Sequence, residues 1–286
     1  MTGVGRHEPT GKWWKSLAEE RVPVELKIDQ PHTARMYDYY LGGKDNYPAD
    51  REAAEQAIAT FPTLRTTARA NRSFLHRATR FLAGEAGIRQ FLDIGTGIPT
   101  SPNLHEVAQE IARESRVVYV DNDPIVLAAA RALLTGTPEG RTAYLEADLH
   151  DPAAILASAA LRETFDLGRP VALSLIAVLH FFPDERGLRD IVRTLTGALP
   201  AGSYLTISHA TGDFAPERMD ELIGIYRRRG LAAQARGRAE IARLLDGLDL
   251  VDPGISVLHR WRPDSSDEAG LTDAEIAGYG VVARVP

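Results

Sequence analysis

Three aspartates and two glycines carry the clearest chemical pattern in this 286-residue sequence. Phe91-Leu92-Asp93-Ile94-Gly95-Thr96-Gly97 passes from an apolar run into an acid and then two closely spaced glycines. Glycines so placed let the backbone turn sharply and approach a ligand at the carboxyl edge of a sheet, where open α/β sheets bind ligands. Asp121 ends the apolar run Val117–Val120, where an acid can accept from both hydroxyls of a ribose. Asp148 follows Tyr144-Leu145-Glu146-Ala147, within reach of an adenine amino group. Taken singly, each acid is better explained as a helix cap or solvated loop residue. Aligned at three successive strand ends beside a glycine loop, Asp93, Asp121 and Asp148 describe a nucleoside pocket.

The kind of nucleoside follows from what the loop lacks. A dinucleotide site places a third glycine where the helix N-terminus meets the pyrophosphate, but Thr100 stands there and Pro99 removes a backbone donor. S-adenosylmethionine has no phosphate to bind, and Asp93 suits its ammonium group. The expected cofactor is therefore S-adenosylmethionine, with S-adenosylhomocysteine left after transfer. A nicotinamide-dependent oxidoreductase is disfavoured by Thr100. A catalytically inactive protein that only binds S-adenosylmethionine or S-adenosylhomocysteine remains the alternative.

On the acceptor side, His180 follows the apolar run Val171–Val178, and His209 ends the run Ser203–Ser208. Either imidazole can serve as a general base near neutral pH, or as a hydrogen-bonded wall. Ala177, near the end of the first of these runs, is expected to line the cofactor pocket. Tyr37, Tyr39, Tyr40 and Tyr47 suggest an aromatic lid, since aromatic faces attract a sulfonium as they do other cations. Tyr37 and Gly43 are assigned to the cofactor site on that basis, with Gly42-Gly43 as the turn of the lid; helix packing is the competing role. Arg72 is assigned to the methionine carboxylate, with a surface salt bridge as its alternative. No metal is expected, because Asp148, His150, His180 and His209 show no recognisable ligand spacing.

These residues must be carried by alternating strands and helices. The strands expected are Gln90–Ile94, Val117–Val120, Val171–Val178 and Ser203–Ser208, with a short one ending near Asp148. Helices are expected over 49–60, 67–83, 104–114, 124–134, 152–160, 184–199, 217–229 and 238–245. Asp123-Pro124 and Asp151-Pro152 are helix starts, each a capping carboxylate followed by a proline at the first helical position. Fully apolar strands in such alternation form a parallel sheet covered on both faces. Ser256–Trp261 and Tyr279–Arg284 read as an antiparallel pair closing the sheet edge. The expected organisation is an extension over residues 1–28, containing Trp13-Trp14, a helical cap over 29–86, and a cofactor-binding domain over 87–286.

Composition narrows the setting. The chain has no cysteine, which excludes disulfides, thiol chemistry and cysteine-ligated metals. Without an apolar run of about 18 residues, a cytoplasmic protein with no membrane partner is expected. Its net charge of −6 opposes the basic surface a nucleic-acid partner requires. Arg227-Arg228-Arg229 with Arg236 and Arg238 is the best basic patch, and a solvated helix end explains it. The expected partner is a small-molecule acceptor; nothing in the sequence fixes an oligomeric state. Replacing Asp121 by Ala is expected to weaken donor binding more than it disturbs folding.

Asp93–Gly97, Asp121 and Asp148 resemble the successive motifs of class I S-adenosylmethionine-dependent methyltransferases. More narrowly, the chain resembles a largely actinobacterial family of S-adenosyl methyltransferases through Thr33–Tyr47, Asn71–Leu75, Asp93–Thr100, Val120–Pro124 and Tyr279–Arg284. The resemblance spans residue 29 to the C-terminus, and the tyrosine-rich Gly-Gly segment is its most specific part. It implies a doubly wound α/β fold whose mostly parallel, seven-stranded sheet has one antiparallel edge strand. It also implies that Asp93, Gly95, Thr96 and Gly97 shape the methionine end, Asp121 and Asn122 the ribose, and Asp148 with Leu149 the adenine. Val178–Asp184 resembles the Leu-His-aromatic turn of many small-molecule methyltransferases, and the Asn/Asp-Pro-Pro-Tyr turn linked to methylation of base amino groups is missing.

Overall fold

The apolar runs become five parallel strands: β1 (Gln90–Ile94), β2 (Arg116–Asp121), β3 (Arg141–Glu146), β4 (Ala172–Ile176) and β5 (Tyr204–Ala210). The computed structural model describes residues 27–133, 135–184, 187–264 and 270–286. What was expected of the N-terminal extension up to residue 26, the tryptophan pair included, lies outside the described residues. β1 is buried along its whole length and β4 along most of it, because helices cover both faces of the sheet.

The strand order is 3-2-1-4-5-8-6, with a further short strand on β8. Strand order reverses between β1 and β4, and the crevice above that switch point is where a doubly wound sheet receives its ligand. β8 (Gly278–Arg284) runs antiparallel to β5 along its length. The last strand position is shared by two two-residue pieces, β6 (Asp249–Leu250) and β7 (Ser256–Val257), paired to different parts of β8. The sheet thus has seven positions filled by eight segments, and its antiparallel strand lies one place in from the edge. The strand expected over Ser256–Trp261 stops at Val257, and a 3-10 turn follows over Leu258–Arg260. There the carbonyls of Leu258 and Trp261 accept from buried Arg77 at 2.6 and 2.9 Å, so they are not available to a sheet ladder.

Local signals set the helix boundaries. α1 (Thr33–Leu41) ends at Gly42, whose φ of 84° provides the left-handed cap. α2 (Pro48–Thr60) begins with proline, and Asp50 accepts from the backbone N–H of Tyr47 at 2.8 Å. α3 (Leu64–Arg80) continues through one π turn, Phe81–Glu85, toward β1. α4 (Leu104–Ile111) follows β1, and α5 (Pro124–Leu133) opens with Asp123 accepting from Ile125 N–H at 2.8 Å. The single helix expected over 152–160 is two: α6 (Pro152–Leu156) and α7 (Ala159–Thr164), because Ser158 caps a new start. α8 (Leu188–Gly197), α9 (Pro216–Arg228), α10 (Arg238–Leu244) and α11 (Asp273–Ile276) complete the set.

Two apolar clusters result. The larger joins both faces of the sheet to Phe74, Leu75 and Ala78 from α3, with Phe74 edge-on to Trp261 at 5.4 Å. The smaller unites Met36 and Tyr40 of α1, Ala53 and Ala57 of α2, Phe61, and Met219, Leu222 and Tyr226 of α9. The N-terminal helices therefore pack on α9, above the carboxyl edge of β4 and β5.

Candidate functional site

One cavity of about 410 Å³ opens at the carboxyl ends of β1, β2, β4 and β5 and is roofed by α1, α3 and α9. The glycine loop forms its floor. Gly95 and Gly97 have φ of +76° and +67°, a region that costs an L-residue about 1–2 kcal/mol. A Cβ on Gly95 would stand 2.6 Å from Cγ2 and 2.8 Å from Cβ of Val178, so glycine is required there for space as well. Gly95→Ala is expected to destabilise the fold by about 2–4 kcal/mol, combining backbone strain with overpacking. Val178→Ala in the same chain should restore part of that loss, measured by denaturant unfolding; an unchanged midpoint in the single variant would refute the clash. Thr96 seals the turn, its hydroxyl donating to the carbonyl of Asp93 at 3.0 Å.

The three strand-end acids converge on this cavity, and they differ in setting. Asp93 is buried, and burial with Asp121 nearby pushes its carboxyl up to about 7 against the opposing pull of Arg72. Asp121 is also buried; one oxygen accepts from Gly97 N–H at 2.8 Å and the other from Asp123 N–H at 3.0 Å. Its carboxyl is raised by burial, while those two amides pull it down. Asp121 therefore ties the glycine loop to the β2–α5 turn, and removing its carboxylate strands two amides, so its loss is expected to disturb folding as well as donor binding. Asp148 is exposed and accepts from the backbone N–H of His150 at 2.9 Å, with the imidazole Nδ1 at 2.7 Å. Asn122 and Leu149 line the same wall, the first exposed and the second buried.

Ala177 lines the cavity with a φ of 52°, an uncommon conformation for a residue bearing a Cβ, held by its N–H donating to Ser208 Oγ at 2.8 Å. Next along the chain come the two histidines, and they are not equivalent. His209 is buried with both ring nitrogens engaged: Nδ1 on the carbonyl of Ala210 at 2.8 Å, Nε2 on Arg236 at 3.0 Å. This arrangement makes Nδ1 the protonated nitrogen, and burial with Arg236 lowers the imidazole to about 4. His180 has a buried Nδ1 with no hydrogen-bond partner, and burial, His209 and Arg236 hold its imidazole well below the ordinary range.

Arg236 organises this side of the site. Expected in a surface patch, it is fully buried, and its guanidinium bonds Asp184, the carbonyls of Leu179 and Phe182, and His209. It thereby pins the turn that carries His180. Arg229 pairs with Glu52 at 2.7 Å and Arg227 donates to the carbonyl of Ala233, as fits a helix end.

The N-terminal helices contribute unequally. Tyr37 lines the cavity, its hydroxyl donating to the carbonyl of Ala68 at 3.1 Å and accepting from Asn71 at 2.8 Å. Tyr40 also lines it, bonded through its hydroxyl to that of Tyr226 at 2.8 Å. Tyr39 instead donates to Glu55, and Tyr47 precedes α2 under the guanidinium of Arg35. Gly43 is not among the residues lining the cavity; a Cβ there would meet the carboxylate of Asp38 at 1.9 Å, so its role is close packing. Arg72 makes no salt bridge with a described residue: one of its nitrogens donates to the carbonyls of Thr100 and Pro102 at 2.6 and 2.7 Å, at the cavity wall.

Sequence reasoning put Arg236 in a surface patch, named Asn71 and Phe181 only as parts of family-like segments, and missed His32 and the apolar face of α9. His32 lines the cavity and sets Nδ1 3.2 Å from Asp123. The α9 face has visible helical spacing in Met219, Leu222, Ile223 and Tyr226, but spacing does not say what a face covers.

Comparison with known proteins agrees with this geometry. The model of a family described as S-adenosyl methyltransferase matches residues 19–286. The crystal structure of a DUF574 family protein from Streptomyces avermitilis is 54% identical, covering 91% of this chain and 100% of its own, with a TM-score of 0.89. A candidate methyltransferase from Thermobifida fusca is 40% identical, covering 92% of this chain and 98% of its own, with a TM-score of 0.82. No curated protein matches. With nearly its whole length matched, this chain belongs to the S-adenosyl methyltransferase family and is an S-adenosylmethionine-dependent methyltransferase.

Proposed function

We propose that this enzyme methylates a small-molecule acceptor by in-line displacement, with the donor lying across the ends of β1, β2 and β3. One observation carries the assignment: three strand-end acids and two left-handed glycines share a single cavity of about 410 Å³. A volume of that order suits a small-molecule site. Asp93, Gly95, Thr96 and Gly97 hold the methionine end, with Arg72 and Tyr37 above them. Asp121 accepts from the ribose through lone pairs left over after its two amide bonds, since a carboxylate offers about four acceptor positions; Asn122 flanks it. Asp148 and Leu149 receive the adenine, and Ala177 backs the reacting end. Gly43 acts at a distance, by letting the end of α1 close on Asp38.

When bound, S-adenosylmethionine supplies a methyl group on a sulfonium, open to attack from the side opposite the sulfur. The residues of the chain orient the two partners, and holding them in line can supply much of the rate. His180 faces the acceptor with a nitrogen able to accept a proton. His209 and Arg236 position it, because the Nε2 of His209 is already taken. A nucleic-acid acceptor is not proposed: Arg236 is buried, and Arg227 and Arg229 are engaged within the fold. No described helix is long and apolar enough to cross a membrane.

Calorimetric titration with S-adenosylhomocysteine tests the donor site, with NADH as control. One-to-one binding of the first and none of the second is expected. A folded protein that ignores S-adenosylhomocysteine would sink the assignment.

A further inference from the structure

The two halves of the cavity differ in charge. Arg72, Asp93, Asp121 and Asp148 all lie on the donor half, around the ends of β1 to β3. The other half is walled by Phe181, Met219, Leu222, Ile223 and Leu258, and among the described residues that line it none carries a formal charge. Its rings are contiguous: His180 meets Phe181 at 4.3 Å between centroids, and Phe181 meets Tyr226 at 5.9 Å. Two of its polar features bear on the acceptor. One is His180, which lines the cavity; its Nδ1 is buried without a hydrogen-bond partner, so Nε2 is the ring nitrogen open to the cavity. The other is the buried Tyr40–Tyr226 hydroxyl pair, in which one O–H donates to the other at 2.8 Å and a second remains to be given.

We infer that the acceptor is an uncharged aromatic molecule methylated on a hydroxyl oxygen, its ring lying against Phe181 and its O–H directed at His180 Nε2. This rests on the methyl-transfer reading above and names the substrate class of that same site. A carboxylate or ammonium group brought into this half meets no counterion, and burying an unpaired charge costs several kcal/mol. A hydroxyl donates to the imidazole nitrogen that this wall offers. As the oxygen lone pair forms the bond to the methyl carbon, the carbon–sulfur bond breaks with its pair on sulfur, and the hydroxyl proton passes to His180 Nε2 and later to water. The Tyr40–Tyr226 pair recognises a second oxygen on the acceptor.

The test uses three probes of one size, 2-naphthol, 2-naphthoate and 2-naphthylmethylammonium, titrated calorimetrically into the enzyme saturated with S-adenosylhomocysteine. The naphthol is expected to bind at least about tenfold tighter than either charged probe, the equivalent of about 1.4 kcal/mol. Leu222→Lys should narrow the gap for naphthoate. Because a buried lysine can prevent folding, Tyr226→Phe is measured beside it, with 2,6-dihydroxynaphthalene expected to lose about fivefold to tenfold and 2-naphthol to be unaffected. With S-adenosylmethionine supplied, mass analysis of products from a panel of phenols should find methyl ethers. Equal or tighter binding of a charged probe overturns the inference, as does binding of none of the three while S-adenosylhomocysteine binds. Phenols that bind but yield no ether overturn the assignment to oxygen. Failure of S-adenosylhomocysteine itself to bind refutes the donor site instead.

Discussion

Replacing Asp93 by Asn is expected to stabilise the ligand-free protein at pH 8 and to weaken its hold on S-adenosylhomocysteine. Asp93 is buried, and its carboxyl is raised from 3.8 to about 7, chiefly by burial. Below about pH 4 the group is protonated in both folded and unfolded chains and costs nothing. Between there and about pH 7 the folded state keeps a proton that the unfolded chain has released, so stability falls as pH rises, and it levels off above pH 7. The gap between 3.8 and about 7 corresponds to about 4 kcal/mol, at about 1.4 kcal/mol for each tenfold change in proton affinity. An amide at this position carries no such penalty. Unfolding midpoints should therefore coincide near pH 4 and separate in favour of the variant at pH 8.

In the proposed site the same carboxyl is expected to couple the donor to a proton. If the ionised form holds the ammonium group, binding S-adenosylhomocysteine below pH 7 must release a proton, and affinity should rise up to tenfold per pH unit until the plateau. Calorimetry in two buffers of different ionisation enthalpy measures that release. Wild type should show it at pH 6 and Asp93→Asn should not. Equal proton release in both proteins would remove Asp93 from the donor site.

Asp121→Ala carries the second large effect, and here the two consequences arrive together. Its oxygens accept from Gly97 N–H and Asp123 N–H, both at a buried site. Hydrogen bonds to a charged group contribute about 1.5–3 kcal/mol each, so the variant should lose about 2–5 kcal/mol of stability. It should also lose at least about a hundredfold in affinity for S-adenosylhomocysteine, since in the proposed site both ribose contacts and the loop framing the methionine end depend on it. Denaturant unfolding and calorimetry read the two losses separately, and faster hydrogen exchange at Gly97 would locate the first. Stability within about 0.5 kcal/mol of wild type would show that the amides find other partners.

Much of this molecule was legible along the chain. Gln90–Ile94 is β1 to the residue, Asp123-Pro124 and Asp151-Pro152 open helices, and the spacing of Asp93, Asp121 and Asp148 places all three at one cavity. These features are local: apolar runs, proline at a first helical turn and glycine at positive φ act within a few residues of themselves. Other features were not legible because their partners are far apart in sequence. Arg236 looks like surface charge until Asp184, Leu179 and His209 are folded round it. Arg77 ends a strand that the residues of Ser256–Trp261 would otherwise continue. Tyr39 and Tyr40 are neighbours in the chain, yet α1 turns one to Glu55 and the other to Tyr226.

The fold class, the donor and the acids that line the cavity can thus be read from the order of residues, because side-chain period and strand-end position follow from local stereochemistry. Three properties arise only in the folded chain: which histidine is available, which acid is held near neutrality, and which half of the cavity is without charge. They depend on burial and on the sum of fields from distant residues, and neither exists until the chain has closed on itself.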